Sequence, residues 1–279
     1  MTTMSMADFI EQAWIEHVTD EAGVAARIEA QAPRLAEAPD QLGAFLGLAQ
    51  HVLIGHRGDA PAMERCLLSL AGVPADEAAS TAISAARLAA ALMCYAGAPA
   101  GDVPAPAAIR AHGNAACGHA ARGIAAAARG VLDSAASLAR EDDTAARKAL
   151  AACHHNLAAQ LQEAGSSPAT NALMMHAAAE SRRLWAQAGT WMNIERADYM
   201  LSLCAATAGD AARALAHARS CLAICEANDA DAFERFFAHE ALVRAGDDRA
   251  ANLQAMRELL NRIDDEGNRA YARSALDKL

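Results

Sequence analysis

The sequence predicts an all-α protein built from antiparallel helix pairs, and three observations carry that expectation. Apolar residues make up 54% of the 279-residue chain while aromatics make up only 4%, and alanine alone supplies more than a quarter. Alanine has the highest helix propensity because ordering it costs no side-chain entropy. A β protein would need more Val, Ile, Thr and aromatics. Gly-Asp dipeptides also recur between periodic apolar segments, where Gly ends one helix and Asp caps the next. Finally, no segment reads as a credible strand.

The elements follow in order. Asp40 to His56 reads as a helix ended by Gly58-Asp59, and Pro61 starts the next, which extends to about Leu70. Gly72-Val73-Pro74 separates this pair from a helix over Asp76–Tyr95. Ala96–Ala107, AGAPAGDVPAPA, is a linker whose Pro and Gly content excludes regular helix. A further pair is expected over Ala108–Arg140, where Gly113, Gly118, Gly123 and Gly130 either blur the boundaries or mark close helix crossings. Glu141-Asp142-Asp143 then favours the start of the next helix through its dipole. The expected organisation is helical pairs in 1–100, a linker in 101–107 and helical repeats in 108–279. One continuous solenoid is the alternative.

The clearest repeat runs from Thr190 to about Asn228. A first helix, Trp191–Ala208, is broken by Gly209-Asp210, and a second spans Ala211–Ala227. Ala214, Ala218, Cys221 and Cys225 recur three and four apart along one stripe of that second helix. The next unit places Ala232–Ala245 before Gly246-Asp247 and a helix from Arg249 to about Ile263. The preceding unit has Cys153–Ala164, ending at Gly165, and a partner helix from about Thr170 to Ala188. The Gly-Asp turn, the small residues Ala214, Ala218 and Cys221, and the run Asn156-Leu157-Ala158 resemble the tetratricopeptide-repeat (TPR) family over roughly Arg147–Ile263. The Gly-to-Gly spacings are 44 and 37, against about 34 in that family, and its usual aromatic and proline positions are mostly absent.

The resemblance implies an α-α superhelix, a TPR-like solenoid whose first helices line a concave groove. In that register the residues 13, 10, 6 and 3 positions before each turn glycine face the groove. They are Ala152, His155, Ala159 and Gln162, then Arg196, Tyr199, Leu203 and Ala206, then Phe233, Phe236, Glu240 and Val243. His155, Gln162, Arg196, Tyr199, Phe233, Phe236 and Glu240 are the expected partner-binding set. Arg196 and His155 would meet a carboxylate, Glu240 a cation, and the aromatics apolar side chains. The implied function is a protein-interaction module holding a peptide or partner helix, with no cofactor. A homodimer joined through the alanine-rich N-terminal half is a further expectation.

Ten histidines are many for this length. His51 and His239 each lie seven residues before the Gly of a Gly-Asp turn, where the helices of a pair touch and small residues are usual. Each then distorts the packing or bonds a buried partner. A cross-helix set of His155, Glu195 and His239 is the alternative reading, a metal or small-molecule site of an enzyme or sensor. No CxxC pair exists, and His239-Glu240 lacks the second His of an HExxH motif. GxSxG and P-loop motifs are absent as well.

The net charge of −10 disfavours phosphate backbones and anionic lipid, so neither nucleic acid nor membrane is expected as a partner. No stretch reaches the roughly 18 uncharged apolar residues of a membrane span. The segment MTTMSMADFIEQAW has no basic n-region or apolar h-region, so no secretory signal is expected. The expected location is cytoplasmic, with the seven cysteines as small buried hydrophobes.

Overall fold

The computed structural model describes residues 4–165 and 167–279, and all regular structure among them is helical. The all-α expectation holds. No helix among the described residues is long and apolar enough to cross a membrane. The chain forms two compact units, Met1–Leu157 and Ala158–Leu279. The division falls within a single helix, α8 (Thr144–Ala164), and not at the Pro/Gly-rich segment that composition suggested. That segment joins α5 (Glu77–Cys94) to α6 (Ala105–Ala121), which pack on each other inside the first unit.

In the first unit, α1 (Met6–Glu16) starts at Ser5, whose hydroxyl accepts the Asp8 N–H at 3.1 Å. It buries Met6, Phe9, Ile10 and Ala13, the stripe that a 3.6-residue period produces. Next, α2 (Glu21–Gln31) leads into a short 3₁₀ turn containing Pro33. The helix predicted over 40–56 is three pieces in the structure: a 3₁₀ turn at Pro39–Gln41, α3 (Leu42–Ala49), and a π-helical continuation over Gln50–His56. Its i→i−5 geometry is evident where the Arg57 N–H donates to the Val52 carbonyl at 3.2 Å. Asp59 caps α4 (Ala60–Ser69) and Asp76 caps α5. Helix α6 packs against the π segment, and α7 (Ala125–Ala136) packs on α6.

The second unit holds the end of α8, then α9 (Pro168–Ala188), α10 (Trp191–Thr207), α11 (Ala211–Ala227), α12 (Ala232–Arg244), α13 (Arg249–Leu260) and α14 (Glu266–Leu276). Each of α9 to α13 packs on its sequence neighbour, and α10 also touches α12, as α12 touches α14. Ends and starts follow the turn chemistry. Gly209 and Gly246 both adopt φ +81°, a left-handed conformation that costs a glycine little. The following Asp N–H reaches back to a carbonyl five residues earlier, Asp210 to Ala205 at 2.9 Å and Asp247 to Leu242 at 3.0 Å. Asp210, Asp231, Asp248 and Asp265 accept N-cap hydrogen bonds at four successive helices. Ala214, Ala218, Cys221 and Cys225 are all fully buried, and the last three let α11 approach Ala238 and Ala241 of α12.

Candidate partner-binding face

The predicted groove residues divide sharply once placed. His155 is half-buried on α8 in the first unit. Within the second unit, Gln162 donates from Nε2 to Thr207 Oγ1 at 3.2 Å, tying α8 to the end of α10. Arg196 is exposed, and Tyr199 and Phe233 are half-buried. Phe236 and Glu240 do not line a groove. Phe236 is completely buried among Val243, Met256, Leu259, Leu260 and Ile263, because α13 packs across that side of α12. Glu240 is 2% exposed. It accepts the Tyr199 hydroxyl at 2.6 Å and Arg244 Nε at 2.8 Å, so no cation from outside reaches it. The accessible edge of α12 instead carries Phe233, Phe237 and Arg244.

Beneath that edge lies a row of buried carboxylates on α10 and α12: Glu195, Asp198, Glu234 and Glu240. Ionised carboxylates persist in an interior only when paired and hydrogen-bonded. Arg196 answers Glu234, with its Nε at 3.3 Å from Oε2 and its Nη2 on Oε1. Arg244 answers Glu240, so each arginine is held at the surface by an acid below it. Asp198 accepts His217 Nδ1 at 3.0 Å and Ser220 Oγ at 2.9 Å, with Arg182 Nε at 3.1 Å as an ion pair. Burial pushes the Asp198 carboxyl up, but His217, Arg182 and Ser220 together hold it below its usual value.

Glu195 differs from the others. It accepts a hydrogen bond from Cys221 Sγ at 2.8 Å, and the Glu234 carboxylate lies close to it. Burial, then the negative Glu234 nearby, raise its carboxyl to about 7 against the restraining bond from Cys221. Burial, then the charge of Glu240, likewise push the Tyr199 phenol upward, so it stays a neutral donor.

Aromatic rings cover this polar layer. Phe237 meets Phe233 at 5.0 Å, Tyr271 at 5.5 Å and Tyr199 at 6.0 Å between centroids, the first and last edge-on. With Phe236 behind, this places five of the eleven aromatic residues of the chain on α10, α12 and α14 of one unit. Tyr271 is 65% exposed, and Arg196 on α10 is bonded to Glu234, the residue after Phe233. Tyr271, Phe237 and Glu234 were missed by the repeat register. The run Phe233, Phe236, Phe237 within a sequence so poor in aromatics was the one available signal.

The alternative set behaves differently. Glu195 is engaged by Cys221, and His239 Nδ1 meets Asn252 Oδ1 at 2.8 Å. Asn252 is fixed in turn by its own bond to the Asp248 carbonyl. His239 is thus a histidine with a packed amide partner between α12 and α13.

Comparison of the chain with family models, with curated proteins and with solved structures gives no match.

Proposed function

We propose that the second unit is a TPR-like protein-interaction module. Its α10–α12–α14 face holds a peptide or partner helix that presents an apolar side chain beside a carboxylate. The observation that carries this reading is the aromatic surface of Phe233, Phe237 and Tyr271, with the half-exposed Arg196 guanidinium bonded to Glu234, the residue after Phe233. Aromatic residues and arginine are the types enriched at interface centres and hot spots. A guanidinium has five N–H donors, and Glu234 engages only two of its nitrogens, so the group can bridge an internal and an incoming carboxylate. The arrangement of α10 against α12 and α12 against α14 supports stacked helix pairs. Glu195 is 1% exposed and bonded to Cys221, which makes it support beneath Arg196 and not a proton donor to a ligand.

Selection of a displayed random-peptide library on the full chain tests the proposal. Enriched peptides should share an acidic residue next to an aromatic or branched aliphatic one. Exchanging that acid for its amide, or Tyr271→Ser in the protein, should weaken binding at least about tenfold, equivalent to ~1.4 kcal/mol. Tyr271 is exposed enough for its replacement to leave the fold intact. Failure to enrich any such peptide, or binding indifferent to both changes, overturns the proposal.

A further inference from the structure

Three histidines distant in sequence converge in the first unit. His17 follows the last turn of α1, and His51 and His56 stand on the π-helical segment after α3. His51 Nε2 lies 3.1 Å from His17 Nε2 and 3.0 Å from His56 Nε2. All three ring nitrogens lie within 4.8 Å of one another, and no other group of three His, Cys, Asp or Glu among the described residues does so. Nitrogen ligands at 2.0–2.1 Å around a tetrahedral zinc ion are about 3.3 Å apart.

The π turn creates the pair. Five residues along an α-helix are about 140° apart around the axis at 3.6 residues per turn. In i→i+5 geometry they stack on one side, and π segments of this kind occur often at functional sites.

The outer nitrogens fix the orientation of two rings. His17 Nδ1 is 2.8 Å from the Trp14 carbonyl oxygen, which accepts and never donates, so Nδ1 carries the proton and Nε2 presents its lone pair inward. His56 Nδ1 faces Glu21 Oε2 at 3.9 Å, a carboxylate behind the ring as in many metal-bound histidines. A single proton on His51 Nε2 can be directed at one neighbour but not at both. A cation at the common point satisfies all three lone pairs at once. The Trp14 ring packs 4.9 Å from His51 and 5.5 Å from His17, giving the cluster an apolar flank.

We propose that His17, His51 and His56 form a three-imidazole site for a divalent first-row transition metal, with zinc as the reference ion and one position left open to water. Imidazole nitrogens suit Zn, Cu and Ni, whereas oxygen-seeking Mg and Ca have only Glu21 to turn to here. This site is independent of the peptide-binding reading, since every one of its residues belongs to the first unit.

The test uses this chain without a tag, stripped with a chelator and titrated with Zn²⁺ and with Co²⁺. One equivalent should bind, and the cobalt form should show the visible bands of a low-coordinate nitrogen site. His51→Gln and His56→Gln should each weaken binding at least about 100-fold, the upper end of what losing even an outer-shell partner costs. His176→Gln on α9 should change nothing. X-ray absorption on the zinc-loaded wild type needs no variant and should count three imidazoles. Absence of saturable one-to-one binding, binding unchanged by both ligand substitutions, or fewer than three imidazoles on the metal would overturn the site.

Discussion

Two glycines of apparently equal standing in the sequence make opposite demands on the fold. Gly118 on α6 faces the π segment, and a Cβ there would sit 2.3 Å from the Ile54 carbonyl oxygen, 2.9 Å from Met93 Sδ and 3.1 Å from Gly58 Cα. Ordinary contact starts at 3.4 Å, so the backbone must part by about 1 Å. The sulfur can swing aside, but the carbonyl belongs to a hydrogen-bonded turn. Overpacking costs typically about 1–3 kcal/mol, and a backbone obstacle places Gly118→Ala at the upper end. The better helix propensity of alanine returns about 0.5–1 kcal/mol, so the net loss is about 2 kcal/mol. Gly130, exposed inside α7, has nothing within 4 Å of its would-be Cβ. Gly130→Ala should therefore stabilise by the propensity term alone, about 0.5–1 kcal/mol. Urea denaturation of the full chain, followed by circular dichroism, gives the midpoints. The reasoning fails if Gly118→Ala unfolds at or above the midpoint of Gly130→Ala. The same variant carries a functional corollary. Ile54 lies between His51 and His56, so a shift of its carbonyl should also weaken Zn²⁺ binding.

The Glu195 carboxyl is raised from 4.5 to about 7 in the folded protein, so its contribution to stability is present below about pH 4.5 and is lost as pH rises through 7. Glu195→Gln keeps an acceptor for Cys221 and removes this dependence. It should raise the melting temperature at pH 8 and leave it unchanged or lower at pH 5; an equal effect at both values refutes the assignment of the buried acid. Of the seven thiols, only Cys94 is exposed, and burial pushes those of Cys66, Cys117, Cys153 and Cys204 up to about 12. Ellman's reagent should therefore modify one thiol quickly in the native chain and seven in denaturant; two or more fast thiols would contradict the packing.

Much of the second unit was legible because its signals are local. A Gly-Asp pair encodes a left-handed turn and an N-cap within two residues, and the stripe of Ala214, Ala218, Cys221 and Cys225 encodes a close helix contact within twelve. The face of α12 was not legible in the same way. The repeat register assigned Phe233, Phe236, Glu240 and Val243 to one groove, but only the position of α13 decides which side of α12 is covered. Met256, Leu259 and Leu260 take Phe236 and Val243 inward, which turns Phe237 outward in their place. The boundary between units escaped for a related reason. A helix that passes from one compact unit into the next needs no Pro or Gly, so α8 carries no compositional mark at residue 157.

The histidine cluster is the most distant from any local signal. His51 stood out as a ring where a small residue was expected, but its partners could not be named, because an α-helical reading of QHVLIGH directs His51 and His56 to different sides. Nothing in those seven residues declares a π turn, since Val, Leu and Ile fit an ordinary buried helix equally well. What distinguishes the segment is its neighbour. The bare Cα of Gly118 lets α6 lie directly against the Ile54 carbonyl, and Asn114 lies alongside Gly55, with its Oδ1 3.6 Å from where a Cβ would be. The widened turn is thus tied to a glycine more than sixty residues away, one of four between Ala108 and Arg140 that looked alike in sequence. Gly113 meets Cys153, Gly118 meets Ile54, Gly123 takes φ +73° after the end of α6, and Gly130 meets nothing. The metal site proposed here depends on the second of these contacts, so the stability of the Gly118 crossing and the affinity for zinc should fall together across a series of substitutions at that position.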